Sequence, residues 1–157
     1  MKATVRPQDM YCVADCKNHK LTCYDFNKKE RWNIPCRGDG VNGPGFNVQG
    51  GDTPPGLYEI GVIIETQPHE SQKTWNAYGK FFCDLIELEN QEISRGRAGC
   101  GVHGGGSASP NPLADFQGWY PTLGCLRIQN KDLIDKFVPM CLFVKKNKGK
   151  IYVEVNW

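Results

Sequence analysis

The apolar residues of this chain come in short runs cut apart by glycine and proline, which leaves little room for long helices. The runs are Leu21–Asp25, Arg31–Ile34, Leu57–Ile64, Lys80–Leu88, Cys141–Val144 and Ile151–Val155. Each has strand length, and most are rich in β-branched and aromatic residues. Residues 37–56 alone hold seven of the 18 glycines and three of the 10 prolines, which makes that stretch a loop. Asn27-Lys28-Lys29 reads as the turn of an N-terminal hairpin within residues 10–36. Asn147-Lys148-Gly149 reads as the turn of a C-terminal hairpin over 141–157. Helical spacing is confined to Lys131–Val138, where Leu133, Ile134 and Phe137 share a face, Asn130 offers a cap and Pro139 a stop. The expectation is one mainly β domain over 1–157, a sandwich or barrel with one short helix.

Length and charge narrow the function. At 157 residues the chain is long enough for one ordinary core. A formal charge of +2 is too small to argue for nucleic acid, and no stretch is apolar enough to span a membrane. Met1–Cys16 contains no apolar core, so no secretory leader is read there. The eight cysteines pull the other way, because that density usually marks disulfides in an oxidising compartment. A protein made in the cytoplasm and injected elsewhere reconciles the two. Cys12, Cys16, His19 and Cys23 can be drawn as a zinc site, but their spacing fits no compact knuckle. Strand periodicity would also send successive side chains to opposite faces, so local disulfides or buried thiols are the better reading. No metal and no organic cofactor is called for.

Chemistry concentrates in Gly101–Asn130. His103 is followed by three glycines, and Cys125 is preceded by Gly124, with a loop of small, proline and aromatic residues between them. A cysteine nucleophile needs a base adjacent in space, though not in sequence, and glycine at both ends permits close approach. Such a thiol, activated by an imidazole, is expected to be alkylated at a pH below that of an ordinary cysteine.

Thr53-Pro-Pro-Gly-Leu-Tyr-Glu-Ile60, Val102-His103-Gly104-Gly105 and Thr122-Leu-Gly-Cys-Leu-Arg127 together resemble the L,D-transpeptidase (YkuD-like) catalytic domain over about residues 50–145. The resemblance implies a β-rich sandwich whose cysteine attacks the tetrapeptide stems of peptidoglycan through a thioester. It assigns Cys125 as nucleophile and His103 as base, with the Gly104 carbonyl orienting the imidazole. Gly124 and Cys125 would give N–H groups to the oxyanion, while Arg127, Thr122, Trp119 and Tyr120 would meet substrate. Within the family the chain looks most like peptidoglycan-targeting effectors of the type VI secretion system. That implies the periplasm or envelope of a target cell, an immunity protein and secretion machinery as partners. Two departures stand out: Leu123 occupies the place of a second family histidine, and the loop from His103 to Cys125 is longer than usual.

Other readings stay open on the residues alone. Cys125 also suits a structural disulfide, and Arg127 a buried ion pair. Trp119 and Tyr120 suit loop anchors, and Cys100 either a bridge or a buried thiol. A non-catalytic peptidoglycan-binding module that keeps the fold is the rival to an enzyme.

Overall fold

A computed structural model describes residues 1–66, 71–89, 97 and 99–157; His69, in a loop and expected at the surface on sequence grounds alone, lies outside them. The strands are β1 (Met10–Asp15), β2 (Lys20–Tyr24), β3 (Glu30–Pro35), β4 (Gly56–Glu65), β5 (Phe81–Glu87), β6 (Gly101–His103), β7 (Leu126–Arg127) and β8 (Ile151–Asn156). They form one sheet in the order β3-β2-β1-β8-β4-β5-β6-β7. The protein is therefore mainly β, as its punctuated sequence requires, and its eight strands belong to one sheet. Pairing is antiparallel except between β1 and β8 and between β6 and β7.

Period-two burial sets the inner face. In β8 Ile151, Val153 and Val155 are buried while Tyr152, Glu154 and Asn156 are only partly so. This face is covered by a helical segment: α2 (Asn130–Asp132), a π-helical turn (Leu133–Phe137) and α3 (Val138–Lys146). Leu133, Phe137, Val138, Cys141 and Val144 lie in the core with the strand residues, and the Phe137 ring meets Trp32 edge-on at 6.4 Å.

Two expectations fail here. Pro139 does not stop the helix; it falls in the first turn of α3, where a missing N–H costs least, and the wide π turn precedes it. Cys141–Val144 is accordingly helix and not the first arm of a hairpin, while β8 pairs with β1 and β4. A further short helix, α1 (Gln72–Tyr78), is capped by Ser71, whose Oγ accepts from Thr74 N at 3.2 Å. No helix among the described residues is long and apolar enough to cross a membrane. All eight cysteines are free and buried, so the expected disulfides are not formed.

Candidate active site

Strands β6 and β7 bring the two ends of the glycine-rich stretch together. Val102 pairs with Leu126 and His103 with Arg127, in parallel. Stepping back along this register sets Cys125 beside Gly101. Alternate residues share a face, so Cys125, Arg127 and His103 project to the same side. All three line one cavity of about 550 Å³, together with Tyr78, Gly99, Tyr120, Thr122 and Leu123.

The imidazole of His103 is held on every side. Its Nδ1 lies 2.7 Å from the Gly104 carbonyl oxygen, which makes Nδ1 the protonated nitrogen and leaves Nε2 as the basic one. The ring packs edge-on against Tyr78 at 4.9 Å and stacks with Phe82 at 5.8 Å. Burial first, then the adjacent Arg127 charge, lowers its pKa to about 3, against the opposing Gly104 hydrogen bond. The imidazole is neutral at physiological pH.

Cys125 is also neutral at rest. Burial, then the nearby Cys100, pushes its thiol up to about 12, while a Gly101 N–H and the Arg127 and Arg97 guanidinium groups pull it down. The Sγ sits 3.6 Å from the Gly99 carbonyl, as a thiol donor would. This upward shift runs against the low-pH alkylation expected from the motif.

Thr122 holds the turn in front of the cysteine. Its Oγ1 accepts from Gly124 N at 3.0 Å and Cys125 N at 2.8 Å, and donates to Cys125 O at 2.8 Å. The two amides expected to face an oxyanion are thus already engaged. Thr122 shapes the loop, although it also lines the cavity. Arg127 likewise spends its donors on the backbone: Nη1 on the Gly104 carbonyl at 2.6 Å and on that of Gly105, and Nε on Tyr120 O at 2.8 Å. Arg127 has no carboxylate partner among the described residues. No three metal-ligating side chains converge among the described residues; Cys12 instead faces Cys23 across β1 and β2.

No family model and no curated protein sequence matches this chain. Solved structures do. The L,D-transpeptidase (Yku) of Stackebrandtia nassauensis aligns with a TM-score of 0.57 at 15% identity, over 99% of this chain and 59% of that one. The fold is that of the L,D-transpeptidases. Bd1075 of Bdellovibrio bacteriovorus aligns with a TM-score of 0.57 at 15% identity, over 94% of this chain and 47% of its own. An L,D-transpeptidase from Mycobacterium smegmatis gives 0.50 at 11%, over 94% and 58%. This chain thus spans about half to three-fifths of each neighbour's length.

Within this L,D-transpeptidase fold, residues to which the sequence assigned no place in the site help to build it. The last carbonyls of α1, which lack helical partners, accept from the glycine turn: Tyr78 O from Gly104 N at 2.9 Å and Asn76 O from Gly106 N at 2.8 Å. Tyr78 thereby places both the wall of the imidazole and its turn. Asn130, expected as a cap, is instead buried in α2, where Oδ1 takes Gly105 N at 2.9 Å and Nδ2 donates to Pro112 O and Ala114 O at 2.8 and 2.7 Å. Gly105 itself sits at φ +62 against the backbone of α1, where a β-carbon would collide. Arg97 reaches across to Phe46 O at 2.7 Å, Gly51 O at 3.0 Å and Leu123 O at 3.3 Å. Its guanidinium fills the space beside Gly124 that the sequence suggested was left for substrate. Leu123 is 65% exposed at the cavity rim, and Tyr120 lines the cavity wall.

Proposed function

We propose that this protein is a cysteine acyltransferase of the L,D-transpeptidase type, acting on the tetrapeptide stems of peptidoglycan in the cell envelope. The observation that carries the reading is the placement of Cys125 immediately before β7 and of His103 at the end of the parallel neighbour β6, both lining one cavity, with Nδ1 of the imidazole fixed by Gly104. On attack the Cys125 proton passes to His103 Nε2 as sulfur bonds to the stem carbonyl. Collapse of the tetrahedral species expels the terminal amino acid, whose amine takes that proton, and leaves a thioester. Water or an amine then attacks the thioester, with His103 again accepting the proton, and collapse releases the product and breaks the bond to Cys125, whose sulfur takes that proton back. Because thiol and imidazole are both neutral at rest, proton transfer accompanies attack instead of preceding it. The Gly124 and Cys125 amides are the natural oxyanion donors once the oxyanion competes with Thr122 for them, an effect on the order of 3 kcal/mol.

A second reading has its own support. A thiol pushed up to about 12, amides already engaged, and Leu123 in place of the family histidine all suit a module that binds stems without cleaving them. Mass spectrometry of muropeptides decides between the two. Purified tetrapeptide stems, with and without a free D-amino acid, should lose or exchange their terminal residue or form dimers, and Cys125→Ala should abolish every product. Unchanged stems with the folded wild-type protein would leave the binding module. Delivery as an antibacterial effector with a cognate immunity protein is the finer form of the enzyme reading. Toxicity on export to the periplasm, absent for Cys125→Ala, is its mark.

A further inference from the structure

Beside the catalytic cavity lies a smaller one of about 310 Å³, lined by Arg37, Asp39, Trp119, Tyr120 and Pro121. Tyr120 and Pro121 line both cavities, so the two adjoin. The smaller one is also tied to the catalytic motif by backbone. Arg37 N donates to Arg127 O at 2.9 Å and Arg127 N returns to Arg37 O at 2.8 Å, while Thr122 N donates to Asp39 O at 3.0 Å. Whatever occupies this cleft is therefore held in fixed relation to Cys125.

Neither charge of this cleft meets an opposite one among the described residues. The Arg37 guanidinium lies 5.5 Å from the centre of the Trp119 ring, and its Nε is buried without a hydrogen-bond partner. Neither Arg37 nor Asp39 forms an ion pair among the described residues, although they are two positions apart and line the same cleft. A buried donor left unpaired is costly, and opposite charges that face one space without meeting leave both desolvated in part. A simple anion would meet Arg37 but be repelled by Asp39, and a simple amine the reverse. A ligand with both charges on neighbouring atoms satisfies both, and an aliphatic chain on it would lie along the aromatic rings.

We propose that this cleft binds the head group of an α-amino acid, its carboxylate on Arg37, its ammonium on Asp39 and its side chain along Trp119 and Tyr120. The use of such a ligand by the enzyme rests on the acyl-transfer reading above; its binding does not. Binding is therefore read on Cys125→Ala protein by NMR, following the Arg37 Nε–H and the Trp119 indole N–H. The probes are D- and L-norleucine, hexanoate as the acid alone and pentylamine as the amine alone.

At least one norleucine enantiomer should shift both signals saturably, with hexanoate and pentylamine each weaker by about tenfold or more, as expected when one charged partner is missing. Arg37→Gln and Asp39→Asn should each weaken norleucine by a similar factor. No hydrogen bond reaches the Asp39 carboxylate from the described residues, so its exchange for an amide should leave the fold intact. Absence of saturable shifts with either enantiomer overturns the proposal. So does hexanoate binding as well as norleucine, or an unchanged affinity in Asp39→Asn. Norleucine binding without muropeptide turnover would remove the enzyme reading and leave this one standing; turnover without binding would do the opposite.

Discussion

Burial holds His103 neutral, and that choice carries a stability signature. Its folded pKa of about 3 lies below the ordinary 6.5, so the unfolded chain binds a proton that the folded one refuses. The contribution is complete above about pH 6.5 and is lost as pH falls from there towards 3. Between pH 7 and pH 4 the loss from this one group is about 3 kcal/mol, since each pKa unit is worth about 1.4 kcal/mol. His103→Gln cannot titrate, so urea unfolding at the two pH values should show the wild type losing about that much more than the variant. Equal losses would mean that the charged imidazole is solvated or paired within the fold.

At the scale of elements, the site depends on groups that reach it from far along the chain. Asn130 ties the glycine turn after His103 to the loop at Pro112 and Ala114, and Gln117 joins the same network by accepting from Asn130 N and donating to Ile128 O. Asn130→Ala leaves the Gly105 N–H and two carbonyls without partners, a cost of about 2–3 kcal/mol. For a chain of this size that lowers Tm by roughly 5–10 °C. Hydrogen exchange should quicken over residues 104–118 and stay slow in β1 and β8; uniform quickening would show that Asn130 supports the whole fold instead of this loop. No sequence pattern announces such a role, because its partners are backbone groups separated by 16 to 25 positions. The same holds for Arg97 and Tyr78. His103 and Cys125 were legible because glycines flank both. Among elements, β4 and β5 were legible from their long β-branched and aromatic runs. Helix α1 was not, since none of its residues is buried and no apolar face exists to read. Cys141–Val144 was misread because four apolar residues fit a buried helix turn as well as a strand.

Across the whole molecule, eight thiols without a disulfide raise the question of what would keep them reduced in the presence of an oxidant. The fold answers through burial, because the thiolate is the species that exchanges with disulfides. Every cysteine is 9% exposed or less. Burial drives Cys16 and Cys83 up to about 12 and Cys36 and Cys141 well above the ordinary thiol range. For Cys12, opposite Cys23, the hydrogen bond to that thiol comes first and burial second, in the same upward direction. A thiol of pKa about 12 is about one part in 10⁵ thiolate at pH 7, some three orders of magnitude below a free cysteine. Protection thus comes from the folded core and vanishes when the core opens. Native protein kept in oxidised glutathione at neutral pH should retain its reduced intact mass. The same protein unfolded in urea before exposure should acquire glutathione adducts and internal bridges at many positions. Rapid oxidation of the native chain, mapped to Cys12 and Cys23, would show instead that the first two strands open on their own and that the cross-strand pair is a working disulfide.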